Sequence, residues 1–207
     1  MTAIPKHKRA KEQAEHIFKT YALTTPVRVF ELAEIMGIHW KGCTTSEMCK
    51  IVLEKEPDAQ KDSSFADWNE VLAYYDKEEK TIYINNETQP ITRTRFTFAH
   101  EIGHHQLHAH LKHNHFRHMT ILQDIYAPSK PEEVEANYFA GYLLMPDAAI
   151  IRLLEYTDVM PRNPDHITRE LAKMLAVSPE SMRIRLQTFK KENPDIWEQY
   201  HMDEKIF

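Results

Sequence analysis

Apolar residues at helical spacing predict two helices at the start of the chain. Residues 5–23 carry a charged, amphipathic pattern that ends at Thr24-Thr25-Pro26, a helix stop and restart signal. A second, shorter helix is expected over residues 27–36, with Gly37 closing its last turn. Two helices should therefore precede any sheet.

A β-hairpin is the next element that the pattern predicts. Residues 71–75 and 81–85 are rich in β-branched and aromatic side chains, and a short charged segment separates them. The polar stretch before them, residues 41–67, lacks sustained periodicity. We interpret it as a loop-rich insertion with one short helix near residues 46–55.

Helices are expected to dominate the remaining sequence. One should begin with Thr92 or Thr94 as its N-cap and continue to about His110. Another should be opened by Ser129 and ended by Pro146. Three further helices are expected over residues 147–157, 168–176 and 179–191.

Composition and charge restrict the classes of protein. The 207 residues, 42% of them apolar, suffice for one main core and a small appendage. A net charge of −5 argues against a generally basic nucleic-acid coat protein. Cys43 and Cys49 are too few for a disulfide framework, which indicates free thiols in the cytoplasm. Neither a signal peptide nor a run of about 20 apolar residues is present, so we expect no membrane association.

Histidine is concentrated in one segment: eight of the 13 histidines lie between His100 and His118. Within it, residues 100–104 read HEIGH, an HExxH motif. Because residues i and i+4 of a helix share a face, His100 and His104 can bind one Zn²⁺ at about 2.0–2.1 Å each. Glu101 lies about 100° round the helix, where it can act as general base.

The third zinc ligand is open between several residues. His110 matches the last histidine of the HExxHxxGxxH pattern, but Leu107 replaces the glycine that turns that chain. Glu135 belongs to an apolar helical stripe, where a buried carboxylate needs a cation. Glu132 could also bind, although a capping-box role suits it better. Glu133 is expected on the opposite, solvated face.

The two segments RTRFTFAHEIGHHQLH and EANYFAGYLLMP together resemble the ImmA/IrrE family of metallopeptidases. The similarity is clearest over residues 70–147. By position, the resemblance implies that His100, His104 and Glu135 are the zinc ligands and that Glu101 is the base. Of the other histidines, His108 is the best candidate for a residue that supports a ligand.

The resemblance implies an α+β fold with a zincin-like domain over residues 1–147 and a helical region over 148–207. It also implies regulatory cleavage of a partner protein, typically a helix-turn-helix repressor of a phage, mobile element or stress regulon. An alternative is a non-catalytic, zinc-containing regulator or antitoxin-like module that binds DNA or protein. A structural zinc domain would instead need a fourth protein ligand.

Residues 167–191 resemble a helix-turn-helix, with Ser178 as N-cap and Pro179 after it. Six basic and two acidic residues give this segment a local charge of +4, so Arg183 and Arg185 could approach DNA phosphates. We favour simple packing against the main domain, because the turn lacks glycine and the chain is acidic overall. DNA binding stays a second possibility.

Overall fold

The computed structural model describes residues 7–55, 57, 71–87, 89–108, 115–118, 130–157 and 164–199. Helices in these ranges surround one small mixed sheet, which confirms the predicted α+β class. The elements follow in the order α1 (His7–Thr20), α2 (Val29–Ile35), β1 (His39–Cys43), α3 (Thr45–Lys55), β2 (Val71–Asp76), β3 (Thr81–Asn85), α4 (Ile91–Leu107), β4 (His115–His118), α5 (Pro131–Leu144), α6 (Asp147–Thr157), α7 (Pro164–Leu175), α8 (Pro179–Glu192) and α9 (Pro194–Gln199). Within these ranges, no helix has the length and apolar character needed to cross a membrane.

Two helices precede the sheet, as predicted. Helix α1 buries Ala10, Ala14 and Ile17 along one side. Helix α2 ends just before Gly37, whose φ of +71° is a left-handed conformation that glycine adopts without a steric penalty. The apolar periodicity at the start of the chain thus corresponds to real buried faces.

The sheet has the strand order β1-β3-β2-β4. Strands β2 and β3 form the predicted antiparallel hairpin, with Tyr75 opposite Ile82. Strand β1 pairs in parallel with β3, so the prediction of a loop is wrong for residues 41–43, which form the end of this strand. Helix α3 confirms the short helix predicted near residues 46–55. Residues 56 and 58–67 of the predicted insertion lie outside the described residues.

Helix α4 carries the HExxH motif through the core. It begins at Ile91 after Pro90, so both predicted N-caps are wrong. Thr94 lies inside the first turn, where its hydroxyl donates a hydrogen bond back to the Pro90 carbonyl (3.2 Å). The helix ends at Leu107, whose carbonyl accepts a hydrogen bond from the Arg9 guanidinium (2.8 Å). Helix α1 therefore satisfies one of the terminal carbonyls of α4.

Helix α5 packs against both α4 and α1. It begins at Pro131 after Lys130, whose side chain makes no capping hydrogen bond. Lys130 rather than Ser129 therefore occupies the N-cap position. The capping box between Ser129 and Glu132 stays a prediction, because Ser129 lies outside the described residues, as does His110. The helix ends immediately before Met145-Pro146, as predicted.

The C-terminal helices pack onto the same hydrophobic core. One buried cluster runs from Ala10 in α1 to Trp197 in α9. Ser178 caps α8 as predicted, since its hydroxyl accepts a hydrogen bond from the Ser181 amide (3.0 Å). A division of the chain at residue 147 stays a prediction, because a shared core does not show whether the two parts fold separately.

The charge of Arg185 is used inside the molecule. The residue is only 4% exposed, its Nε donates to the Met145 carbonyl (3.1 Å), and its guanidinium pairs with Asp147. Contact between Arg185 and a DNA phosphate is therefore excluded in this conformation. Arg183 pairs with Glu180 and stays partly exposed, so DNA binding by this hairpin stays a prediction.

Candidate metal centre

The HExxH residues lie in the interior of the protein. His100 and Glu101 are fully buried and His104 is 2% exposed. One helical turn separates the two histidines, and their Nε2 atoms lie 2.8 Å apart. The convergence expected from the i, i+4 spacing is therefore present.

A carboxylate from α5 completes a group of three possible metal ligands. Glu133 places Oε2 3.1 Å from Nε2 of His100 and Oε1 3.5 Å from Nε2 of His104. The ligand atoms of His100, His104 and Glu133 all lie within 4.8 Å of one another. Ligands bound tetrahedrally at about 2.0–2.1 Å from zinc are separated by about 3.3 Å. The observed distances fit such an ion with small adjustments.

Glu135, the carboxylate that we expected at the metal, occupies a different position. Its Oε2 lies 3.2 Å from Nε2 of His108. The structure therefore brings Glu133 to the histidine pair in its place, and the expectation that Glu133 is solvated is wrong. The physical reason is that α5 is buried on more than one side, so an apolar stripe does not identify the side that faces α4.

Two hydrogen bonds orient the histidine rings. Nδ1 of His100 donates to the side-chain oxygen of Asn137 (3.0 Å), which leaves its Nε2 directed at Glu133. Nδ1 of His104 lies 3.0 Å from Nδ1 of His108. The structure thus gives His108 the supporting position that the sequence suggested, and it adds Asn137, which sequence reasoning missed.

The surroundings of Glu133 favour its ionised form. Burial alone would raise the pKa of its carboxyl, but the electrostatic and hydrogen-bonding contributions of His104 and His100 outweigh burial and hold that pKa well below the ordinary value. Burial also lowers the pKa of His108, and His104 adds to the effect while Glu135 opposes it. An ionised carboxylate facing two imidazoles is the donor set that suits a divalent cation.

Strand β2 contributes a tyrosine near the general-base candidate. Burial raises the pKa of Tyr75 to about 12, and the carboxylates of Asp76 and Glu101 add to the effect. The hydroxyl lies 2.5 Å from Nδ1 of His105 on α4. Tyr75 therefore stays neutral near Glu101, on the side of α4 that faces the sheet.

Helices α4 and α5 approach closely at Gly103. A Cβ atom on Gly103 would lie 3.0 Å from a ring carbon of Phe139 and 3.3 Å from the Cα of Ala136. The glycine inside the HExxH motif therefore permits the short distance between the helices. That distance allows Glu133 and Asn137, on the facing side of α5, to reach His100.

Two histidines from one helix, a glutamate from a neighbouring helix and a second glutamate between the histidines define the metal-site class of the HExxH peptidases. The chain belongs to the peptidase family described as the IrrE N-terminal-like domain, which it matches over residues 50–187. This match confirms the resemblance inferred from the sequence and covers the whole candidate centre. Helices α1 and α2 and strand β1 precede the matched region.

A curated relative gives a biological setting. The chain is 40% identical over 86 residues to an uncharacterized immunity region protein 2 of Bacillus phage phi105. The similarity covers 39% of this chain and 50% of that protein. The chain therefore spans about half the length of the curated relative that it matches.

Proposed function

We propose that the protein is a zinc-dependent metalloendopeptidase in which His100, His104 and Glu133 hold the metal and Glu101 is the general base. The convergence of these three ligand atoms around a buried HExxH helix carries the proposal. Membership of a peptidase family supports it. When bound, zinc supplies a Lewis acid that polarises the scissile carbonyl and acidifies water.

The protein's own residues divide the remaining work. Glu101 accepts a proton from the attacking water and later delivers it to the leaving amine. Glu101 directly follows His100 on α4 and is fully buried, and burial strengthens the interactions of a carboxylate with charge that develops nearby. Asn137 and His108 hold the ligand imidazoles in place, so little reorganisation is needed during the reaction.

We propose a repressor-like protein of a phage, mobile element or stress regulon as the substrate. The similarity to a phage protein named as an immunity region protein supports this choice. A cytoplasmic site of action fits the free thiols of Cys43 and Cys49. Cleavage of a regulator would release the genes that it controls.

The test compares the wild type with Glu101→Gln, which keeps the size of the side chain but cannot take up a proton. We expect cleavage of a co-expressed repressor to fall by about 10²–10⁴-fold. Zinc content should stay near one ion per chain, because Glu101 lies beside the ligands. Glu155→Gln, the same change at an exposed position on α6, serves as the control and should cleave like the wild type.

Equal cleavage by the wild type and Glu101→Gln, with zinc retained in both, would contradict the mechanism. Loss of zinc in Glu101→Gln would instead make Glu101 a ligand. If the wild type binds zinc and leaves every candidate repressor from its genetic neighbourhood intact, the non-catalytic alternative replaces this proposal.

A further inference from the structure

A chain of three buried side chains leads away from the candidate metal centre. Nδ1 of His104 lies 3.0 Å from Nδ1 of His108, and Nε2 of His108 lies 3.2 Å from Oε2 of Glu135. The three residues are 2%, 2% and 7% exposed, respectively. His108 follows the last residue of α4, and Glu135 lies on α5. These hydrogen bonds therefore connect the two helices that carry the proposed ligands.

The direction of these hydrogen bonds follows from the ligand role of His104. A neutral imidazole that binds a metal through Nε2 carries its proton on Nδ1. Nδ1 of His104 then donates to Nδ1 of His108, which must be unprotonated. His108 consequently carries its proton on Nε2, and that proton is donated to the Glu135 carboxylate. Every bond in the chain then has one donor and one acceptor.

The reverse direction is incompatible with metal binding. If Nδ1 of His108 donated to His104, the proton of a neutral His104 would lie on Nε2. That atom faces Glu133 and His100 and would no longer have a lone pair for the ion. A carboxylate at the far end favours the productive direction, because an ionised carboxylate can only accept a hydrogen bond.

We propose that Glu135, acting through His108, is a positioning residue that fixes the tautomer and ring orientation of His104 for metal binding. This inference rests on the proposed metallopeptidase function. The two ligand histidines are thus supported differently: His100 by the neutral amide of Asn137, and His104 by a relay that ends in a carboxylate. Such outer partners commonly change metal affinity about 10–100-fold.

The primary measurement is zinc affinity of the full chain, obtained by competition with a chromogenic chelator. We expect Glu135→Ala and His108→Ala each to weaken zinc binding about 10–100-fold. The double variant should lose little more than either single variant, because both changes interrupt one relay. Glu155→Ala removes the same charge from an exposed position on α6 and should bind zinc like the wild type.

Conservative replacements separate positioning from a general structural role. In His108→Asn, the amide oxygen can accept the hydrogen bond from Nδ1 of His104, so most of the affinity lost in His108→Ala should return. Adding Glu135→Ala to His108→Asn should then have little effect, since the relay already ends at the amide. The absorption spectrum of bound Co²⁺ should change in His108→Ala and recover in His108→Asn.

Thermal unfolding of each metal-free variant shows whether the fold is kept. If Glu135→Ala does not fold, Glu135→Gln replaces it: its amide oxygen still accepts, so only a minor loss of affinity is expected. Wild-type zinc affinity in His108→Ala, or in a Glu135→Ala variant that folds, would overturn the relay, while Glu101-dependent cleavage by the wild type would still uphold the proposed function. A wild-type chain that binds no zinc would overturn both.

Discussion

Replacing Gly103 with alanine tests whether the close contact between α4 and α5 sets the geometry of the metal centre. The added methyl group would meet a ring carbon of Phe139 at 3.0 Å and the backbone of Ala136 at 3.3 Å. Both neighbours are fully buried, so neither has open space to move into. We therefore expect α5 to shift slightly away from α4 and to carry Glu133 with it.

Two opposing effects decide the change in the free energy of unfolding. Alanine is favoured over glycine inside a helix by about 1 kcal/mol. Inserting a methyl group into a well-packed core costs about 1–3 kcal/mol. Gly141→Ala provides a matched control, because a Cβ there meets only the side chain of Arg185 at an ordinary 3.9 Å. Both variants gain the preference of alanine over glycine inside a helix. The difference between their free energies of unfolding therefore measures the packing cost at Gly103.

The assay is thermal unfolding of both metal-free variants, followed by zinc affinity. We expect Gly103→Ala to be less stable than Gly141→Ala by about 1–3 kcal/mol. For a chain of this size, each kcal/mol corresponds to about 2–4 °C in Tm. Zinc should bind more weakly to Gly103→Ala alone. Equal Tm values and wild-type zinc affinity in both variants would refute the link between this contact and the site.

Two further predictions follow from the positions of charged residues. Glu133→Ala should weaken zinc binding more than Glu135→Ala does. The loss should therefore exceed the roughly 10–100-fold expected for a residue that only supports a ligand. A larger loss in Glu135→Ala, measured by chelator competition, would identify Glu135 as the ligand instead. Arg185→Ala should lower the free energy of unfolding by about 3 kcal/mol, because it leaves Asp147 with Lys11 as its remaining ion-pair partner in the described structure. Arg183→Ala, at a partly exposed pair, should change it by less than about 1 kcal/mol in the same denaturant titration.

The elements with a strong local signal were predictable from the sequence. The HExxH helix, the hairpin and the Ser178 cap each depend on neighbours within a few residues, where spacing and hydrogen bonding act directly. Strand β1 has no such signal. Its first three residues are exposed, and its partner β3 lies about 40 residues later in the chain, so the pairing depends on tertiary structure.

Spacing along the sequence could not distinguish Glu133 from Glu135 as the residue that lies beside the histidine pair. Apolar periodicity identifies buried positions, but α5 is buried against α1 as well as α4. The side that faces the histidines instead carries Glu133, Ala136 and Asn137, a polar and small-residue stripe at i, i+3 and i+4. Ala136, the small residue of this stripe, lies opposite Gly103 where the two helices meet. A search for paired small residues could have found this side from the sequence.

The hydrogen bond from Arg9 to the Leu107 carbonyl affects where the protein can be cut for study. Sequence similarity marks residues 50–187 as the family region, yet Arg9 lies far outside it. A fragment with those limits would lack the guanidinium that covers the end of α4, one residue before His108. It would also lack β1, which would leave the backbone of β3 open to pairing with other chains. A fragment that keeps the contacts around the candidate centre must therefore include α1, even though α1 precedes the family region.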